Sequence, residues 1–186
     1  MIRIRRAIQS LEDGFMSITK EVIGLTLSFL LFSGALFASG ETDSVRVAYE
    51  AGDVETLRGL ANNGAEGAAL TMATLYWYGK GSVKKNPKLG AEWYLKAAKQ
   101  GNFFAQYRLS EIYIDGEAVL ADYRSAYMWL NLATYNGDPN ANDGSDYYIN
   151  KLKELKKTLF FLMTKDDISE AQKMSSRCLE SNYTDC

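Results

Sequence analysis

GAEGAALTMATLYWYGKGSVKKNPKLGAEWYLKAAKQG, residues 64–101, runs directly into GNFFAQYRLSEIYIDGEAVLADYRSAYMWLNLATYNG, residues 101–137. The two segments match when their first glycines are aligned, with one residue fewer in the second copy. The matched pairs of the first half are Ala68 and Ala105, Met72 and Leu109, Leu75 and Ile112, Tyr76 and Tyr113, and Gly79 and Gly116. Those of the second half include Asn86 and Asp122, Trp93 and Trp129, Ala97 and Ala133, and Gly101 and Gly137. A unit of about three dozen residues in tandem is typical of repeat proteins.

Each copy has the pattern of two helices. Apolar residues recur at helical spacing in both halves, which gives each helix one apolar face. Gly79 and Gly116 follow the first helices, where glycine readily takes the left-handed conformation that ends a helix. Asn86 followed by Pro87, and Asp122 in the second copy, are typical of helix N-termini. The sequence therefore predicts an all-α protein built from helix pairs.

The residues that recur on the apolar faces are predicted to form the core. They are Ala68, Met72, Tyr76, Trp93, Ala97, Ala105, Leu109, Tyr113, Trp129 and Ala133. The two tryptophans could instead stack on a ligand, but a Trp repeated at a fixed position in helix pairs is more often a core residue. On the core interpretation, replacing either Trp with alanine would cost about 3–5 kcal/mol of stability.

These units resemble Sel-1-like repeats, relatives of the tetratricopeptide repeat. The shared features are Ala-x-x-x-Leu, Leu/Ile-Tyr and a stopping Gly, then Asp/Asn-x-x-x-Ala/Gly-x-x-Trp and a closing Ala-Ala/Thr-x-x-Gly, all within Gly64–Gly137. Departures are Met72 in place of the usual Leu, the lack of a Leu-Gly pair at 71–73, and Gly90 in place of Ala. The resemblance implies an α/α solenoid that serves as an adaptor or scaffold for other proteins, frequently in secreted or envelope-associated bacterial proteins.

Both flanks of the repeats are predicted to cap the solenoid. Residues 41–63 resemble a degraded unit in which Thr56 replaces the Trp, and we expect an N-terminal capping half-repeat with Asp53 at the start of its second helix. Residues 138–186 begin with a polar loop and continue as capping helices. The first of these helices is marked by Tyr148, Leu152, Leu155, Leu159 and Leu162. The second begins at Thr164 and Asp167, a capping-box variant, and presents Ile168, Ala171, Met174 and Cys178 on one face.

Residues 1–40 are predicted to be a signal peptide, with a possible true start at Met16. The apolar run Val22–Ala38 follows basic residues and precedes Ser39 and Gly40, a small-residue cleavage site. We therefore expect a periplasmic or secreted protein. The alternative is an uncleaved anchor in the inner membrane formed by residues 22–38, which is just long enough to cross a bilayer. Contact with the membrane is expected only through this leader, if it is retained.

The two cysteines, Cys178 and Cys186, lie at the C-terminus. In an oxidising compartment they are predicted to form a disulfide that stabilises the protein by about 2–3 kcal/mol. The alternative is a thiol pair for metal or redox chemistry, which the lack of a CxxC spacing and of any histidine disfavours.

The absence of histidine also limits catalysis. It removes Ser-His and Cys-His nucleophile pairs and the commonest general base at neutral pH. No phosphate-binding loop is present, so we predict no cofactor, no metal and no catalytic residue. An envelope enzyme that uses carboxylates, or a relative that binds or hydrolyses β-lactams, is the alternative. The net charge of −2 argues against nucleic-acid binding, which normally needs a basic face.

A second set of positions lies off the core faces of the first helices and recurs at the same offset. It contains Leu70, Thr74, Trp77, Tyr107, Glu111 and Ile114. First helices line the concave side of such solenoids, so these residues are predicted to bind a peptide or partner helix there. The alternative is that they pack against neighbouring helices. Trp77 and Tyr107 are the strongest candidates for contact. The partner is expected to be another protein, and an inhibitor of an envelope enzyme is a further alternative.

Overall fold

A computed structural model of the chain describes residues 42–137 and 145–186. Within those residues there are eight helices and no strand. The helices are α1 (42–51), α2 (Val54–Asn62), α3 (Ala68–Tyr78), α4 (Pro87–Ala98), α5 (Phe103–Asp115), α6 (Tyr123–Asn136), α7 (Ser145–Leu162) and α8 (Lys165–Glu180). This architecture confirms the predicted all-α fold. The leader predicted at 1–40 and the loop predicted after Gly137 lie outside the described residues, the loop through residue 144.

The helix ends follow the predicted local chemistry. Asn86 accepts a hydrogen bond from the backbone N–H of Leu89, and Asp122 accepts from Arg124 and Ser125. Such caps satisfy amide groups that have no partner within the helix. Thr164 and Asp167 form a reciprocal capping box at the start of α8. Gly79 and Gly116 end α3 and α5 with positive φ angles of 71° and 67°.

The helices pack in sequential pairs. In the compact unit Val45–Cys186, α3 packs on α4 and α5 on α6, and α4 joins the two pairs through α5. On the C-terminal side, the consecutive helices α7 and α8, which we call the C-terminal pair, both pack against α6. The result is an α/α solenoid, with the predicted C-terminal helices covering the second repeat.

The core contains most of the predicted residues, although three of them lie at its margin. The fully buried ones are Ala68, Met72, Ala97, Ala105, Leu109, Trp129 and Ala133. Tyr76, Trp93 and Tyr113 are half-buried and pack against this core. In α7, Leu152 and Leu159 are buried, whereas Leu162 is 46% exposed, so the apolar stripe predicted on that helix ends before its last residue.

The α3 and α4 helices approach each other most closely at Gly90. A Cβ atom placed on Gly90 would lie 2.9 Å from the backbone nitrogen of Trp77. Real Cβ atoms are not found at that distance, so one helix would have to move. Gly90 thus sets the spacing within the first repeat, while Ala126 is tolerated at the matching position of the second.

We expect Gly90→Ala to destabilise the protein by up to about 2 kcal/mol. The alanine gains about 1 kcal/mol of helix propensity, but overpacking against the Trp77 backbone costs about 1–3 kcal/mol. Gly59→Ala in α2 is the matched control, because a Cβ atom at Gly59 meets nothing within 4 Å. The control should be neutral or stabilising in urea denaturation. A gain in stability for both variants would show that the α3–α4 contact adjusts without cost.

The C-terminal tail returns to the repeats. Cys178 and Cys186 form a disulfide with a Cα–Cα distance of 4.7 Å. The hydroxyl of Tyr183 and the side chain of Asn136 exchange hydrogen bonds of 2.7 and 3.0 Å. Asn136 also donates to the fully buried Gln106, which in turn donates to the carbonyl of Ala98. The tail therefore closes a polar network that joins α4, α5 and α6.

Candidate protein-binding surface

The residues predicted to bind a partner differ in their exposure. Leu70, Thr74, Glu111 and Ile114 are half-buried. Trp77 and Tyr107, the two strongest candidates, expose only 7% and 6% of their surfaces. Trp77 packs edge-on against Tyr94, with ring centroids 5.9 Å apart, beside the close approach at Gly90. The structure therefore buries the two strongest candidates, and the exposed groups of this face belong to neighbouring residues.

Arg108 on α5 lies at the centre of this region. Its guanidinium carbon is 5.6 Å from the ring centroid of Trp77 and 6.0 Å from that of Tyr94. It donates a hydrogen bond to Glu111, and about a quarter of each of these two side chains is exposed. Among the described residues, Nε of Arg108 is a buried atom without a hydrogen-bond partner. An arginine stacked on two rings combines charge with a flat apolar face.

Glu111 joins Arg108 to Tyr107, whose ring packs against Tyr148 of α7 at a centroid distance of 5.6 Å. Its other carboxylate oxygen accepts a hydrogen bond of 2.6 Å from the hydroxyl of Tyr107. Burial raises the pKa of the Tyr107 hydroxyl, and the bond to Glu111 raises it further. Burial lowers the pKa of Arg108, but its interactions with Glu111, Tyr78 and Tyr94 outweigh burial and raise that pKa overall. Both groups therefore keep their protons at neutral pH, and the network holds a fixed pattern of charge.

Exposed aromatic side chains surround this network. Tyr78 at the end of α3 is 62% exposed, Phe104 at the start of α5 is 40% exposed, and Tyr147 on α7 is 60% exposed. Tyr148 connects two of them, since its ring centroid lies 4.9 Å from that of Phe104 and 5.2 Å from that of Tyr147. We call the set Tyr78, Phe104, Arg108, Glu111 and Tyr147 the first-helix surface, because all five residues lie on the first helices of their pairs.

Sequence reasoning missed most of the first-helix surface, since it looked for positions that repeat. Only Glu111 belonged to the predicted set. In the aligned copies Arg108 falls on Thr71 and Tyr78 falls on Asp115. These positions differ in chemistry between the copies. An arginine that replaces a small polar residue on a partly apolar helix face was the signal available in the sequence.

Among the described residues, neither a metal-binding cluster nor a membrane-spanning helix is found. No group of three or more His, Cys, Asp or Glu side chains among them is arranged to hold a metal ion. In the part of the chain that the structure describes, no helix is long and apolar enough to span a bilayer. The apolar segment 22–38 is outside that part.

Comparisons with known proteins agree with the architecture. The model of the Sel1 repeat family matches residues 68–102 and 104–138. A crystal structure of a protective antigen present in uropathogenic Escherichia coli strains, which displays an SLR fold, matches with a TM-score of 0.61 and 26% identity. That match covers 78% of this chain and 31% of the antigen, so the chain spans less than a third of the antigen's length.

A second solved structure, a Sel1 repeat protein from Oxalobacter formigenes, matches with a TM-score of 0.42 and 24% identity over 54% of this chain and 88% of that one. No curated protein matched the sequence. Sel1 repeat proteins typically bind other proteins. The chain therefore carries two tandem Sel1 repeats, which form part of its α/α solenoid.

Proposed function

We propose that this protein is a non-catalytic adaptor of the bacterial periplasm or cell envelope that binds a peptide or a helix of another protein on its first-helix surface. The observation that carries the proposal is the cluster of Tyr78, Phe104 and Tyr147 around a half-buried Arg108–Glu111 pair. Tyrosine and arginine are enriched among residues that dominate binding energy at protein interfaces. Solenoid proteins use their extended concave surfaces to bind partners.

The surface suits a peptide because it offers apolar area and polar groups side by side. The aromatic rings can cover apolar side chains of a partner. The Arg108–Glu111 pair and the exposed tyrosine hydroxyls can meet polar groups of a peptide backbone. Two of the rings, Phe104 and Tyr147, pack edge-on against Tyr148, which in turn packs against the buried Tyr107. A preformed surface loses little conformational entropy on binding.

Two features support export. The sequence begins with a segment that resembles a signal peptide, and Cys178 and Cys186 form a disulfide. Structural disulfides persist in oxidising compartments such as the bacterial periplasm and are rare in the cytosol. Both features fit a protein that works outside the cytoplasm.

A random-peptide display library selected against the purified full chain tests the proposal. For peptides enriched on the parent protein, we expect Tyr78→Ala with Tyr147→Ala to raise the Kd by about tenfold or more, because each change removes an exposed aromatic group from the surface. Isothermal titration calorimetry with one synthetic enriched peptide measures the effect.

Tyr135→Ala is the matched control, since Tyr135 is 71% exposed on α6, a second helix. The control should bind the peptide like the parent. Equal Kd values for the parent and the double variant, or an equal loss for the control, would overturn the assignment of binding to the first-helix surface.

A further inference from the structure

The C-terminal half of α7 carries an exposed patch that neither the repeats nor the first-helix surface uses. Phe160, Phe161 and Leu162 are 58%, 91% and 46% exposed. One ring edge of Phe160 meets Tyr127 of α6 at a centroid distance of 6.4 Å, while Phe161 protrudes almost completely. Consecutive exposed apolar side chains of this size are uncommon on monomeric proteins and mark interaction sites.

Lysines share this face of the helix. At about 100° per residue, Lys153, Lys156, Lys157, Phe160 and Phe161 fall within an arc of about 140°. The centre of this arc lies about 120° from the buried positions Leu152 and Leu159, and Lys156 at its edge is half-buried. The aromatic side chains occupy the last turn and the lysines the preceding two turns. A helix surface that combines a basic stretch with a protruding aromatic end is typical of contact with a membrane interface.

The positive charge of this face is not neutralised nearby. Across residues 42–137 and 147–186, no carboxylate pairs with Lys153, Lys156 or Lys157. The adjacent Glu154 is paired with Lys151 at 3.1 Å. At the start of α8, Asp167 is bonded to Thr164 and lies 3.9 Å from Arg124. The ammonium of Lys156 lies 5.7 Å from the ring centroid of Tyr127, a contact that leaves its charge unneutralised, so all three lysines can still meet an anionic partner.

We propose that the face formed by Lys153, Lys156, Lys157, Phe160 and Phe161 docks on an anionic lipid bilayer, with Phe161 entering the headgroup region. The charge complementarity selects this occupant. A symmetric contact with a second copy would bring two sets of three lysines together and repel. The 91% exposure of Phe161 means that no neighbouring side chain forms the wall of a protein-binding pocket around it. A bilayer interface accepts such a protruding ring and attracts lysines at about 1 kcal/mol each.

This surface differs from the one proposed for the protein partner. The membrane contact would hold the solenoid against the bilayer by its C-terminal pair and leave Tyr78 and Arg108 accessible. It also acts independently of segment 22–38, so it would keep a processed chain at the membrane.

Quenching of tryptophan fluorescence by brominated acyl chains tests the proposal at the site itself. The full-length Phe161→Trp variant is mixed with vesicles of equimolar phosphatidylglycerol and brominated phosphatidylcholine. Tyr135→Trp is the matched control, since Tyr135 is exposed on α6. Both variants keep the native tryptophans and segment 22–38, so any background from these is the same. We expect quenching of the added tryptophan in Phe161→Trp alone.

The lysines are tested in the same assay. Adding Lys153→Glu, Lys156→Glu and Lys157→Glu to Phe161→Trp should weaken the vesicle affinity measured by quenching by about tenfold or more. Adding Lys84→Glu, Lys88→Glu and Lys99→Glu makes the same charge change at exposed lysines elsewhere and should leave the affinity within about twofold. Vesicles of brominated phosphatidylcholine alone should give little quenching.

Three results would overturn the proposal. The first is no quenching of Phe161→Trp in anionic vesicles, and the second is equal quenching of Tyr135→Trp, which would assign the contact to other residues. The third is that Phe161→Trp shows no quenching in anionic vesicles, while the parent self-associates with rising concentration or binds an acidic protein. In that case Phe161→Ser would abolish the protein contact, and the occupant of this face would be a protein.

Discussion

Replacing Trp129 with alanine is expected to lower the free energy of unfolding by about 3–5 kcal/mol, the usual cost of removing a large buried aromatic side chain. Trp129 is 2% exposed and is among the largest fully enclosed side chains of the protein. Its helix, α6, is covered by α5 on one side and by α7 and α8 on the other. The surrounding helices cannot all close around the vacated space, so a cavity remains.

Trp93→Ala is the matched control and should cost clearly less, about 1–2 kcal/mol. Trp93 occupies the equivalent position of the first repeat but is only half-buried, and the ammonium of Lys96 lies 5.1 Å from its ring centroid. Urea denaturation of the two variants measures both losses, and unchanged m-values would show that only stability has changed. Equal losses would contradict the conclusion that Trp129 is the more deeply packed of the two equivalent tryptophans.

Loss of the disulfide should lower the free energy of unfolding by about 2–3 kcal/mol, because the unfolded chain regains the freedom of a short closed loop. Cys186→Ser is the preferred variant, since Cys178 is fully buried and a serine there would also bury a hydroxyl group. The reduced parent protein should lose the same amount, which separates loop closure from the effect of the serine. In oxidised protein, neither cysteine should react with a thiol label before reduction.

The tail provides an internal check on this prediction. Tyr183→Phe removes the hydroxyl that bonds Asn136 but leaves the disulfide intact. It should cost about 1–2 kcal/mol, because it removes two hydrogen bonds with Asn136 that are each worth about 1 kcal/mol net. If disulfide removal cost no more than Tyr183→Phe, the cross-link would contribute nothing beyond positioning the tail.

The fold was predictable because its signals are local and occur twice. Matching apolar positions identified the helix pairs, and Asn86, Asp122 and Thr164 marked helix starts that the structure confirms. The unequal burial of Trp93 and Trp129 was not predictable in the same way. It depends on how α7 and α8 cover α6, and no repeat pattern in residues 138–186 specified that packing.

The candidate surface was harder to predict, for a geometric reason. Trp77 lies off the core stripe of α3, and the sequence alone suggested that it was accessible. The absence of a side chain at Gly90 lets α4 approach its backbone, and Tyr94 then packs against the Trp77 ring. Packing between α3 and α4 therefore buries Trp77, which the sequence predicted to bind a partner. The exposed groups nearby are instead Tyr78 and Arg108.

The claim that the first-helix surface binds a protein is tested most directly by site-specific photocrosslinking in the producing cell. A benzophenone amino acid would replace Tyr78, Tyr147 or, as a control, Tyr135 on α6. We predict that Tyr78 and Tyr147 positions yield the same discrete crosslinked partner and that the Tyr135 position does not. Identical adducts from all three positions, or adducts from Tyr135 alone, would contradict the account.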